Sequence, residues 1–393
     1  MSGVRAIIAA VGAVLALCCV PAAAEGGGAA EKAMYVAVAP TRVLDTREGN
    51  AGPIGPGGTV SVSLSRVVPV TAVAVVINIT GAQATESTYI TAYPRGTSRR
   101  TVSTLNLTRG QMRANLATVQ LGTEAGLVFY NSAGSTHLIV DVAGYYLRPV
   151  DLSTQAAGSG FVLAAANRLL DTRGTGALGA GGVATIDFSG IVPESATAVA
   201  MNVTGVGATQ PTFVTVWPAD RARPIASNLN LVSSASTPNQ VVVALGADRK
   251  VSLYNHAGSA HLIADFAGYY VAGGGRAFFS VPPTRLLDTR PARGLGHGMS
   301  TTVSLSAILP AEASVIVANF TGTNTTAETY VTAWPYGSNR PATSNLNLVS
   351  GQTAANMGIT GLGPDKAIQA YNNAGYVDLI IDMAGYFGAV EVE

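Results

Sequence analysis

The side chains best placed for chemistry are charges that recur three times along the chain. Asp45, Asp171 and Asp288 sit in the hexapeptides Arg42–Arg47, Arg168–Arg173 and Arg285–Arg290, and Asp141, Asp265 and Asp382 each follow a Leu-Ile-x string. In an extended hexapeptide alternate side chains share a face, so Asp45 lies beside Arg47, Asp171 beside Arg173 and Asp288 beside Arg290. Such neighbours suit a charge-assisted fork. Asp141, Asp265 and Asp382 lie in apolar strings, where a carboxylate is costly unless paired. They are expected to meet a hexapeptide arginine across the sheet or to cap turn amides. These nine residues therefore read as structural ion pairs. The sharper alternatives are a clamp for a sugar hydroxyl or carboxylate, or a glycosidase pair. The latter needs both carboxylates exposed in a cleft, and the sequence shows no cleft.

A second recurrent group is the aromatic-proline step: Tyr93-Pro94, Trp217-Pro218 and Trp334-Pro335. Each is followed by a polar loop that carries Arg99, Arg223 or Arg340. An aromatic face beside an arginine and several amides can hold a sugar ring by stacking and hydrogen bonding. Tyr93, Arg99, Trp217, Arg223, Trp334 and Arg340 are the candidate ligand-binding residues. The plainer expectation is a ring folded over the sandwich end, with the proline ending its strand.

Other chemistries find no footing. The histidines His137, His256, His261 and His297 fill no position in all three copies and lack metal-ligand spacing. There is no nucleophile elbow, zinc-protease helix motif or phosphate loop. No catalytic residue, metal site or cofactor is assigned, and no enzyme activity is expected. Asn78, Asn202 and Asn319, with Asn106, Asn230 and Asn347, form a second repeated set, expected to hydrogen-bond along the sheet.

The elements that must position these residues come as three blocks. Each hexapeptide opens a unit of about a hundred residues, the size of a domain with its own core rather than of a solenoid coil. The expected boundaries are repeats at 35–147, 161–271 and 278–387, joined by linkers at 25–34, 148–160 and 272–277. Apolar residues are 48% of the chain and charged ones 11%, with 45 glycines and 19 prolines. That balance suits a turn-rich β protein. Thr59–Leu64 alternates polar and apolar, as a strand with one wet face does. Ala72–Ile79 is apolar on both faces and reads as a central strand. Further strands are predicted at 88–93, 104–107, 116–121, 127–130 and 137–143, with no sustained helical periodicity. The fold class is all-β: three tandem β-sandwich domains, Ig-like or jelly-roll-like, after a signal peptide.

Residues 1–24 have the form of that signal: Arg5, an apolar run from Ala6 to Val20, and Ala22-Ala23-Ala24 for cleavage. The run is too short to span a bilayer. Both cysteines, Cys18 and Cys19, lie inside it, so the mature chain is expected to lack thiols, disulfides and any integral membrane segment. Acylation of Cys18 is the alternative, disfavoured by the bulk of Leu17. Lys plus Arg total 23 against 22 Asp plus Glu, which leaves no basic field for nucleic acid.

Arg-Leu-Leu-Asp-Thr-Arg, then Ser-Asn-Leu-Asn-Leu (Ser227–Leu231, Ser344–Leu348), then Asp-x-Ala-Gly-Tyr-Tyr or Phe together resemble a repeated module of secreted actinobacterial cell-surface proteins. Block one departs slightly, with Val43 in the hexapeptide and Thr104 where the others have the first asparagine of Ser-Asn-Leu-Asn-Leu. The resemblance implies an extracellular, cell-wall-associated location and an accessory binding or display role, with no established activity. The expected function is a secreted, non-catalytic cell-surface protein whose three modules each bind cell-wall or extracellular polysaccharide weakly. A structural or adhesive protein that contacts other surface proteins is the alternative. A glycoside hydrolase is the remote one.

Overall fold

The computed structural model describes residues 30–49, 51–151, 158–233, 235–292 and 294–389, and the expected signal peptide lies outside them. Copy one contributes β1 (Lys32–Asp45), β2 (Thr59–Ser63), β3 (Ala74–Ala82), β4 (Thr88–Pro94), β5 (Leu105–Leu107), β6 (Arg113–Gln120), β7 (Gly126–Asn131) and β8 (His137–Leu147). Copy two has β9 (Ser159–Asp171), β10 (Val183–Asp187), β11 (Ala196–Val206), β12 (Thr212–Pro218), β13 (Leu229–Leu231), β14 (Thr237–Ala244), β15 (Lys250–Asn255) and β16 (His261–Ala272). Copy three has β17 (Ala277–Asp288), β18 (Ser300–Ser304), β19 (Ala313–Thr323), β20 (Thr329–Pro335), β21 (Leu346–Leu348), β22 (Ala354–Gly361), β23 (Ala367–Asn372) and β24 (Asp378–Gly388). Among the described residues the only helices are single 3-10 turns, and none is long and apolar enough to cross a membrane.

Each copy is a two-sheet antiparallel sandwich. In copy one the inner sheet runs β1-β8-β3-β6 and the outer sheet β2-β7-β4-β5. That order is the eight-stranded jelly roll, and copies two and three repeat it. Ile77, Val140 and Phe129 anchor the first sandwich core, Met201, Ala264 and Leu253 the second, and Phe320, Ile381 and Ile368 the third.

The copies are not beads on a string: the described residues from Glu31 onward form one compact unit. The face of each inner sheet turned away from its own sandwich is also apolar, and the three such faces meet in a fourth core shared by all copies. Ala74 and Val76, Ala198 and Ala200, and Val315 and Val317 alternate with the sandwich-facing residues of the same strands and line this shared core. This explains why β3 is buried along its whole length, on both faces. A two-layer sandwich would leave every other residue of such a strand wet.

Six aromatic rings close the middle of the shared core. Tyr35, Tyr146, Phe278, Phe387, Phe161 and Tyr270 form a cycle with centroid separations of 5.3, 4.2, 5.3, 4.5, 5.1 and, back to Tyr35, 4.1 Å. Contacts within a copy alternate with contacts between copies. The repeated Ala-Gly-Tyr string supplies the room: a Cβ at Gly144, Gly268 or Gly385 would collide with the ring of Tyr35, Phe161 or Phe278. The Tyr146 and Tyr270 hydroxyls hydrogen-bond to each other at 2.8 Å, and the Tyr35 hydroxyl donates to the Ala143 carbonyl at 2.9 Å. The buried phenols are thereby satisfied.

First strands also pair across copies, Lys32 with Phe279 and Tyr35 with Ser159, so the inner sheets join into one twelve-stranded sheet. Pairing therefore begins at Lys32, inside the stretch expected to be linker. Ser159, expected in the second linker, already belongs to β9.

Candidate binding surface

The hexapeptide charges pair within each copy, and Arg285 also donates to the Thr101 carbonyl of copy one at 3.2 Å. Register places Arg42 opposite Asp141, and the guanidinium grips that carboxylate through Nε at 2.9 Å and Nη2 at 3.2 Å while Nη1 reaches Asp45 at 3.3 Å. Arg47 closes the set with a fork onto Asp45. The second copy repeats this arrangement with Arg168, Asp265, Asp171 and Arg173. The third does so with Arg285, Asp382, Asp288 and Arg290. The forks to Arg47, Arg173 and Arg290 hold Asp45, Asp171 and Asp288 below the usual carboxylate range. Burial pushes Asp141, Asp265 and Asp382 above it, against their bonds to Arg42, Arg168 and Arg285. These six carboxylates are committed to arginines, and the raised ones are at most 5% exposed. Among the described residues no cluster of His, Cys, Asp or Glu could hold a metal.

The asparagines depart from the expected ladder along each sheet. Asn78 donates to the Ser227 carbonyl, Asn202 to that of Ser344 and Asn319 to that of Ser103, so each reaches the next copy around the ring. A further set missed in the sequence, Asn115, Asn239 and Asn356, completes the seams. Asn239 donates to Asn78 Oδ1 at 2.9 Å and to the Asn228 carbonyl at 2.6 Å, and accepts from the Leu116 N–H at 2.9 Å. Asn356 and Asn115 act likewise on copies two and three. β6, β14 and β22 are sheet edges with unpaired N–H groups, and amide side chains from the neighbouring copy cap them. The recurrence of these three asparagines at the same intervals as Asn78, Asn202 and Asn319 was the signal available.

The aromatic-proline rings do not form an exposed platform. Ala92, Val216 and Ala333 point into their cores, so Tyr93, Trp217 and Trp334 face outward. Loops then fold over the two indoles. Trp217 and Trp334 are 7% and 6% exposed, and their Nε1 atoms donate to the Arg221 and Ser338 carbonyls at 3.0 Å. Tyr93 is half-buried.

Arg99, Arg223 and Arg340 are exposed, and each guanidinium sits over a different ring: Tyr130 at 3.9 Å, Tyr254 at 3.6 Å and Tyr371 at 3.6 Å from the centroid. Tyr130 alternates with core Phe129, so it projects from the solvent face of the outer sheet. A second ring from the neighbouring strand lies beside it: Tyr89 at 6.3 Å, Phe213 at 6.4 Å and Tyr330 at 6.3 Å in the three copies. In copy two His256 stacks on Phe213 at 4.3 Å. Among the described residues none of the three arginines donates a hydrogen bond or joins an ion pair. Each outer sheet thus carries two half-buried rings side by side, one of them under a guanidinium with uncommitted N–H groups. The site can stack an apolar sugar face and donate hydrogen bonds.

No protein-family model and no curated protein matches the chain. Among solved structures, the chain is similar to the N-terminal CBM22-1-CBM22-2 tandem domain of Paenibacillus barcinonensis Xyn10C. The identity is 10%, over 64% of this chain and 100% of the other, with a TM-score of 0.19. It is also similar to a triple jelly roll protein of an archaeal virus turret assembly, at 8% identity over 89% and 91% of the chains, TM-score 0.18. A chain of Sulfolobus Turreted Icosahedral Virus gives 10% identity over 92% of each chain, TM-score 0.19. Superposition is slight in each case, and the fold assignment rests on the strand order.

Proposed function

We propose that this is a secreted, non-catalytic protein that binds cell-wall or extracellular polysaccharide through three equivalent platforms, one on each outer sheet. The observation that carries the reading is the recurrence of one arrangement three times. A guanidinium sits 3.6–3.9 Å above a solvent-facing tyrosine with a second ring beside it. The residues flanking the arginine differ between copies, Ser98 and Arg100, Ala222 and Pro224, Asn339 and Pro341, yet the arginine and its tyrosine persist. Aromatic rings with a few fixed donors suit sugar rings. Three weak sites in one compact body gain through avidity what each lacks alone. The leader-like N-terminus and the resemblance to secreted actinobacterial modules support an extracellular location. The non-catalytic part is supported by the six repeated aspartates, which are neutralised by arginines of their own copies.

Retention on columns of purified cell-wall polysaccharide tests this. Replacing Tyr89, Phe213 and Tyr330 with Ala together should abolish retention, while Trp217→Phe should leave it unchanged. Retention that ignores the triple variant would favour the structural or adhesive reading. Reducing sugar released by the wild type and lost in Asp141→Asn would establish a hydrolase.

A further inference from the structure

We infer that the ligand of these platforms is an acidic polysaccharide, carrying carboxylate or phosphate along its chain; this rests on the platform reading above. The chain keeps charge scarce, at 11% of residues, and ties much of its arginine to carboxylates. Arg42, Arg47, Arg95, Arg168, Arg173 and Arg285 are examples, each in an ion pair. Against that habit, Arg99, Arg223 and Arg340 stand exposed and unneutralised at the same point of all three copies. Glu124 bonds Arg95 and Asp220 pairs with Arg221, and among the described residues no carboxylate pairs with Arg99, Arg223 or Arg340.

Stacking on a tyrosine immobilises the guanidinium plane, so little side-chain freedom remains to be lost when it binds. Its N–H groups form a fork that matches the two oxygens of a carboxylate or phosphate. A neutral sugar would leave that charge uncompensated. An acidic sugar compensates it while its ring lies on Tyr89, Phe213 or Tyr330. With three sites on one body, the polymer must repeat its charge along the chain.

Affinity chromatography of the full chain on polygalacturonate, on polyglycerol phosphate and on neutral dextran separates the possibilities, and the first two columns distinguish carboxylate from phosphate. The expected result is retention on one or both acidic columns, at least tenfold weaker on dextran, and falling as salt screens the exposed charges. Arg99→Gln, Arg223→Gln and Arg340→Gln together should remove the acidic retention. The corresponding Lys triple should keep only part of it, because ammonium groups retain charge but not the fork. Emission of Trp217 and Trp334 reports that the variants are folded. Equal retention on dextran, or acidic retention indifferent to the Gln triple, overturns the inference. If Tyr89, Phe213 and Tyr330 variants lose dextran retention while the arginine variants do not, only the acidic ligand fails. Retention on no polysaccharide removes the platform reading as well.

Discussion

Replacing Asn239 with Leu probes the seams at one residue with a side chain of the same branching and heavy-atom count. The substitution removes three hydrogen bonds at once and leaves Asn78 Oδ1, the Leu116 N–H and the Asn228 carbonyl without their partner. Asn78 is 3% and Leu116 1% exposed, so water cannot readily replace the lost amide. A buried polar group left unsatisfied costs about 1–3 kcal/mol. Two fully buried groups and one half-buried carbonyl, which can recruit water, together give about 3–6 kcal/mol. Domains usually fold with about 5–15 kcal/mol in hand, so the loss should be plain in urea denaturation followed by circular dichroism at pH 7. Ser61→Ala, on the exposed outer sheet, should change stability by less than about 0.5 kcal/mol. If Asn239→Leu loses under about 1 kcal/mol, the seam amides do not hold the copies together and the reasoning fails.

Two further outcomes follow from buried charge. Arg285→Met should strand Asp382 and cost about 3–5 kcal/mol near neutral pH. Burial already raises the Asp382 pKa above its unfolded value, and losing Arg285 raises it further. The deficit should therefore shrink as pH falls through that raised pKa, since the folded state then takes up a proton. A deficit unchanged between pH 7 and pH 4 would contradict this. Arg113→Met should instead stabilise the protein by about 1–3 kcal/mol. Arg113 is 1% exposed with Nε and Nη2 unpartnered, burial pulls its pKa down to about 10, and copies two and three manage with Thr237 and Ala354 there. Thermal melts showing a loss of stability would refute the estimate.

Much of each copy was legible in the sequence, and the way the copies meet was not. The alternation in Thr59–Leu64 and the continuous apolar run at Ala72–Ile79 marked strands because side-chain facing has a period of two. The second signal also held the unread fact. A strand apolar on both faces needs a layer on each side, and two sheets supply only one. Ig-like and jelly-roll orders could not be told apart, because strand pairing is a long-range property that periodicity does not encode. Asp141 in its apolar string pointed to a cationic partner, and Arg42 stands opposite it in register. Tyr145 and Tyr146 look alike in sequence, yet one packs in the first sandwich and the other in the shared core. Trp217 and Trp334 follow the plainer expectation of a ring folded over the sandwich end, and only the exposed-platform alternative fails, because the covering loop is a tertiary fact. Thr104, where the other copies have asparagine, shows chemistry conserved through a different residue type. Its hydroxyl accepts from the Ala92 N–H at 2.9 Å as Asn228 Oδ1 does from Val216 at 2.7 Å.

The chain's two tryptophans, Trp217 in copy two and Trp334 in copy three, allow the unity of the three copies to be measured directly. In Trp217→Phe and Trp334→Phe backgrounds, each remaining indole reports one copy during urea unfolding. Asn115→Leu then perturbs the seam between copies one and three, where Asn115 donates to Asn319 and accepts from Met357. A body closed by a shared core predicts that both reporters shift together, to the same lower midpoint. A shift seen by Trp334 alone, with Trp217 unmoved, would show that the copies unfold independently.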